Sequence, residues 1–113
     1  MVDEKIKNII FLAAKYPIIS RVGVFGSYAR GEQTADSDLD IMFDYNKAGD
    51  GDTDFVLDIL NYGGELQDEL EKIDIDLDYV SYKGLMDSND SRTRENILSD
   101  LRWVYENESG NNV

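Results

Sequence analysis

The sequence predicts an α/β (α+β) fold: a small mixed sheet with helices on one face and an open, carboxylate-bearing face on the other. Three observations predict it. DLDIMFD at 38–44 and IDIDLDYV at 73–80 alternate apolar and polar residues with the period of a half-buried strand. IISRVGVF at 18–25 is short and rich in β-branched residues. Around these segments, apolar residues recur at three- and four-residue spacing, as amphipathic helices require.

In chain order, residues 3–16 place Ile6, Ile9, Ile10, Ala13 and Tyr16 on one helical face, and Pro17 stops that helix. The strand at 18–25 follows, and Ser27 to Arg30 opens one or two helical turns directly after Gly26. In 38–44, Leu39, Ile41 and Phe43 lie on one side, with Asp38, Asp40, Met42 and Asp44 on the other. Asn46 to Asp52 reads as a turn-rich loop. A second long helix is expected over 53–71 through Phe55, Ile59, Leu60, Leu66 and Leu70. Gly63 and Gly64 inside it each cost about 1 kcal/mol and are expected to bend or break it. The segment 73–80 turns Ile73, Ile75, Leu77 and Tyr79 inward and Asp74, Asp76 and Asp78 outward. A last helix is expected over 91–106 through Ile97, Leu98, Leu101, Val104 and Tyr105. The order is then α-β-α-β-α-β-α in one domain over 1–113, with an ordered core at about 3–106 and a flexible tail at 107–113.

Composition narrows the chemistry. The 113 residues are 42% hydrophobic, enough for one buried core. Twenty-four acidic against 11 basic residues give a formal charge of −13, which repels duplex nucleic acid and anionic membrane alike. Without cysteine there is no disulfide, thiolate nucleophile or zinc–sulfur site, and without histidine the usual neutral-pH base and zinc ligand are missing. What remains is carboxylates, hydroxyls, amides and Arg/Lys, a set that suits hard cations such as Mg²⁺ or Mn²⁺. The N-terminus MVDEKIKN has no signal-peptide apolar block, and no run approaches the roughly 18 apolar residues of a membrane span. A cytoplasmic protein is expected.

One run stands out: Gly26-Ser27 at the end of a strand, a helix start, ten further residues, then Asp38-x-Asp40 on the next strand. Gly26 lets a backbone approach a phosphate, and Ser27 offers a hydroxyl beside the N–H groups of a helix start. Arg30 adds a forked cationic donor one turn on. Asp38 and Asp40 point the same way, about 6.6–6.8 Å apart along a strand, and can share divalent ions. A third carboxylate from 73–80 would complete a two-metal site. Asp-x-Asp alone says little, since it occurs six times among 16 aspartates. Joined to Gly-Ser at this spacing it is expected by chance on the order of 1% of the time.

GSYARG followed by SDLD resembles the signature of the nucleotidyltransferase superfamily typified by DNA polymerase β. From about residue 6 to 106, through GELQDELEK, LDYVSYKGL and RTRENILSDLRWVYE, the chain is similar to its minimal nucleotidyltransferase branch, small proteins often paired with HEPN-domain toxins. The resemblance implies that Gly26 and Ser27 hold the nucleotide phosphates, that Arg30 assists, and that Asp38, Asp40 and a third aspartate hold two Mg²⁺ ions, or Mn²⁺. Asp78 is the better match for the third, with Asp76 on the same face as the competitor. It also implies transfer of AMP from ATP to a hydroxyl, a tyrosine on a HEPN toxin, so that the chain acts as an antitoxin, alone or as a homo-oligomer.

Plainer readings stand beside these. Gly26-Ser27 can be an ordinary strand-to-helix turn, and the outward aspartates of 73–80 a solvated strand face. Asp50, Asp52 and Asp54 do not make an EF-hand, because positions 6 and 12 of such a loop fall on Phe55 and Asn61. Two rival functions are an antitoxin that works by stoichiometric docking without catalysis, and an acidic mimic of nucleic acid.

Overall fold

In the computed structural model, which describes residues 3–46 and 54–107, four strands form one sheet in the order β3-β2-β1-β4. The strands are β1 (Ile19–Phe25), β2 (Leu39–Tyr45), β3 (Leu77–Ser81) and β4 (Arg102–Glu106). β1 runs antiparallel to both β2 and β4, while β2 and β3 are parallel, so the sheet is mixed as expected. A parallel pair needs a crossover, and α3 (Asp54–Glu71) supplies it.

The first helix is shorter than its apolar period suggests. Asp3 caps α1 (Glu4–Ile10) by accepting from the Ile6 N–H at 2.9 Å, and the chain then tightens to a 3₁₀ turn at Phe11–Lys15 before Pro17. α1, the 3₁₀ turn and α3 cover one sheet face. Ile10, Ala13, Ile19, Val22, Val24, Leu39, Ile41, Tyr62, Leu66 and Leu70 are all fully buried between them. The Tyr62 hydroxyl donates to the Ile10 carbonyl at 2.7 Å, which removes the cost of burying it.

Three expectations need correction. The strand expected over 73–80 begins at Leu77, because the N–H groups of Ile73 and Ile75 both donate to the Leu70 carbonyl and close the end of α3. Amides so used cannot join a ladder, and Asp74 sits there with φ 59°, outside any strand. The helix expected over 91–106 is α5 (Ser91–Asp100) followed by β4, with Leu101 already extended between them. Arg-Trp-Val-Tyr-Glu favours a pleated surface, and its apolar residues fit either period. A short helix, α4 (Tyr82–Met86), capped by Ser81, lies between β3 and α5 and was not expected.

The second sheet face is only partly open. Phe25, Met42 and Leu85 form a smaller core there with Val80, Tyr82, Ile97, Leu98, Leu101 and Trp103, so α4 and α5 cover its middle. At one end of this face Asp44, 7% exposed, accepts from Arg21 Nε at 3.1 Å and Lys83 Nζ at 3.0 Å. The Arg21 guanidinium in turn lies 3.9 Å from the Trp103 ring centre and 4.7 Å from that of Tyr82. The loop expected at 46–52 lies, past Asn46, outside the described residues, as do Asp50, Asp52 and the side chains of Asp54 and Phe55. So does the tail from 108 on. Asn107, expected to start that tail, is tied down: its N–H donates to Ser20 and its side-chain amide to Pro17.

α3 is continuous through Gly63-Gly64. Gly63 is needed for packing, since an added Cβ would lie 2.8 Å from the Tyr79 ring. That ring cannot yield easily: it stacks on Phe43 with centres 4.4 Å apart, and its hydroxyl donates to the Ile59 carbonyl. A Cβ on Gly64 would meet nothing within 4 Å. Gly63→Ala is therefore expected to destabilise the protein by about 1–3 kcal/mol, and Gly64→Ala to stabilise it by about 0.5–1 kcal/mol. Urea unfolding of the two variants checks both signs.

Candidate active site at the glycine–serine corner

β1 ends where β2 and β3 begin, and the residues singled out by spacing meet at that end. Phe25 pairs with Asp40 across the antiparallel ladder, and Asp40 pairs with Asp78 across the parallel one. Residues in register on neighbouring strands point to the same face, so Asp40 and Asp78 lie side by side. Asp38 lies just before β2 and is exposed.

Gly26 closes the corner. Its φ of 73° is a left-handed value that side chains disfavour, and an added Cβ would run into the Asp40 Oδ2. The backbone at residue 26 is thus packed directly on the carboxylate of residue 40. α2 (Gly26–Arg30) starts there with Phe25 at its N-cap position, which has no side-chain oxygen to cap the leading amides. Ser27 occupies the first turn, half-buried.

The electrostatics match this crowding. The Asp40 carboxyl is pushed up to about 6, first by burial, then by the charge of Asp78 and a hydrogen bond shared with it, and further by Asp38. Arg30 opposes the rise, so it lies within electrostatic reach. Its donors are engaged elsewhere, however: Nε bonds Glu32 at 2.7 Å and Nη1 bonds Asp100 at 2.5 Å. A phosphate would have to compete with both. Glu32 and Asp100 have no signal in the sequence; Asp100 is 70 residues away from Arg30.

Asp76, the competitor for the third position, is not on the strand at all. Its carbonyl accepts from the Leu39 N–H at 2.8 Å, and it does not figure among the groups that act on Asp40. Asp74 ends α3. The structure therefore brings Asp38, Asp40 and Asp78 together with Gly26 and Ser27, and leaves Asp74 and Asp76 aside.

These residues fit a hard divalent cation. The donor set is wholly carboxylate oxygen, and its net charge is uncompensated on the spot. Among the described residues no three carboxylates stand close enough together to hold a metal ion between them.

The family model described as "Polymerase beta, Nucleotidyltransferase" matches residues 4–109. The chain belongs to the polymerase β nucleotidyltransferase family. Among relatives of this nucleotidyltransferase, the Methanocaldococcus jannaschii protein MJ1379, named "Putative protein adenylyltransferase", is 33% identical over 94 residues, 82% of this chain and 83% of the relative. A solved "putative minimal nucleotidyltransferase" superposes with a TM-score of 0.60 at 33% identity, covering 87% of each chain. A toxin–antitoxin structure with AMP-PNP shares the fold, with a TM-score of 0.58 at 21% identity over 96% of this chain and 77% of that one. Among the described residues no helix is long and apolar enough to cross a membrane.

Two substitutions test the corner. Gly26→Ala is expected to lower stability by about 1–3 kcal/mol, because both the backbone angle and the Asp40 contact resist a methyl group. Asp40→Asn is expected to raise the melting temperature of the metal-free nucleotidyltransferase at neutral pH by a few degrees, corresponding to about 1 kcal/mol of relieved repulsion after allowing for solvent screening. Calorimetry of both variants reads the opposite signs directly.

Proposed function

We propose that this chain transfers the adenylyl group of ATP to a hydroxyl of a partner protein, a tyrosine on a HEPN toxin, and so acts as an antitoxin in the cytoplasm. The observation that carries the reading is the packing of the Gly26–Ser27 corner on Asp40, beside Asp78 in register. Relatives named for protein adenylyl transfer and a toxin–antitoxin neighbour solved with an ATP analogue support it.

Asp38, Asp40 and Asp78 would hold two Mg²⁺ ions, or Mn²⁺, which supply charge neutralisation at the phosphates and a lowered pKa for the attacking hydroxyl. Gly26, lacking a side chain, lets the Asp40 carboxylate sit against the backbone at the corner the triphosphate would approach. Ser27 donates its hydroxyl to a phosphate oxygen, and Arg30, released from Glu32, adds a cationic donor. The acceptor oxygen bonds to the α-phosphorus, the bond from that phosphorus to the bridging oxygen of the β-phosphate breaks, and pyrophosphate leaves. Asp78 takes the hydroxyl proton as the bond forms. A chain without histidine has carboxylates as its available bases, and Asp78 is the more exposed of the strand pair.

Incubation with Mg²⁺, ATP and a cognate HEPN-domain protein is expected to give an AMP adduct on a tyrosine of that protein, read by mass spectrometry. Asp38→Ala/Asp40→Ala is expected to slow its formation by about 10²–10³-fold or more. No adduct with the wild type, or toxin inhibition that survives loss of all three aspartates, would point instead to neutralisation by docking alone.

A further inference from the structure

α3 leaves one side of itself without cover. Of the five large apolar side chains exposed among the described residues, Val56, Leu57 and Leu60 sit together at its start, 45%, 58% and 63% exposed. Beside them a groove of about 370 Å³ runs between α3 and the edge strand β3, lined by Leu60, Gly63, Gly64, Gln67, Leu77 and Tyr79. Val56, Leu60 and Gly64 are four residues apart in sequence and therefore form one ridge of the helix, the element that interdigitates when helices pack. Gly64 has no role in the fold that would require a glycine, since a side chain there meets open space. A glycine that weakens its own helix and faces a groove leaves room for a neighbour's backbone.

The charge around the groove has one sign. Of the α3 carboxylates, Glu65 pairs with Lys15 and Glu69 with Lys72, while the groove itself has neither lysine nor arginine in its lining. Asp68 lines the groove, Glu71 accepts from Gln67 at its wall, and Asp76 stands exposed just before Leu77. Two copies of this groove face to face would set Asp68, Glu71 and Asp76 against their like with no lysine or arginine in either lining, so a second copy of the chain is a poor occupant.

We infer that this groove docks an amphipathic helix of a partner protein, with its apolar side on Val56, Leu57 and Leu60, its backbone close to Gly64, and lysine or arginine along its flanks. The groove lies on the side of β3 that Tyr79 faces, opposite to Asp78, so an occupied groove leaves the carboxylate corner open. The inference does not depend on nucleotidyl transfer, and its test contains neither ATP nor a metal.

Two short helical peptides with one leucine pattern, carrying lysine or glutamate at every other position, serve as probes for the full chain. The lysine peptide is expected to bind and to shift the amide resonances of Leu57, Leu60, Gly64 and Tyr79, while the glutamate peptide does not bind. Leu57→Ser/Leu60→Ser and Gly64→Gln are each expected to weaken binding by about tenfold or more. Gly64→Gln also serves as the folding control, because glutamine favours the helix more than glycine and its circular dichroism and melting temperature should match or exceed the wild type. Binding of the lysine peptide within about twofold of wild type in both variants, as simple attraction to an acidic surface would give, overturns the inference. So does self-association in sedimentation that disappears with Leu57→Ser/Leu60→Ser, which would give the face to a second copy.

Discussion

The carboxylate corner of this molecule depends on holding like charges together. Asp40 and Asp78 occupy matched positions on parallel strands, Asp38 stands two residues before Asp40, and the backbone of Gly26 presses on the Asp40 carboxylate from the third side. No side chain relaxes into this arrangement by itself; repulsion and desolvation both oppose it. What enforces it is the ladder. β2 is sandwiched between β1 and β3, and its inward residues Leu39, Ile41 and Phe43 are locked in the main core. Alternation then leaves Asp40 no direction except toward the other carboxylates. The buried apolar face thus supplies the stability that the charged end consumes.

The same strand shows how differently an aspartate can be used. Asp44 lies on the same face of β2 as Asp40 and is the more deeply buried of the two, yet two cations and aromatic rings surround it. It ties β1, β2 and α4 into one unit. Asp40 has only a distant arginine whose donors are already engaged. A buried carboxylate paired with cations serves the architecture, whereas one held against its own kind is costly to keep charged.

How far the sequence discloses this depends on whether the relevant period is local. Alternation located β2 and, in the second half of 73–80, β3, and the Gly26-Ser27 to Asp38-x-Asp40 spacing pointed to the corner because a strand, a turn and a strand join its parts. Periodicity misled at Ile73 and Ile75, whose amides are consumed in ending α3, and at 101–106, where Trp103, Val104 and Tyr105 satisfy a helix or a strand equally. The match of LDYVS to the family pattern already favoured Asp78 over Asp76, and the register of β3 against β2 sets Asp78 beside Asp40. The tie between Arg30 and Asp100 had no trace in the sequence, since nothing in either residue names a partner so far along the chain. Gly63 and Gly64 look alike in sequence, but only one of them has a ring against it.

β1 is an inner strand only because β4 flanks it, and β4 is contributed by residues 102–106. During synthesis, then, the glycine–serine corner emerges early with one of its supporting neighbours still inside the ribosome. Arg30, already bonded to Glu32, likewise gains its second partner only when Asp100 has emerged. The second flank of this inner strand is therefore in place only once residues 102–106 have emerged, and a product cut off shortly before residue 102 would carry Asp38, Asp40 and Asp78 while leaving an inner strand bare along one edge, open to pairing with another polypeptide.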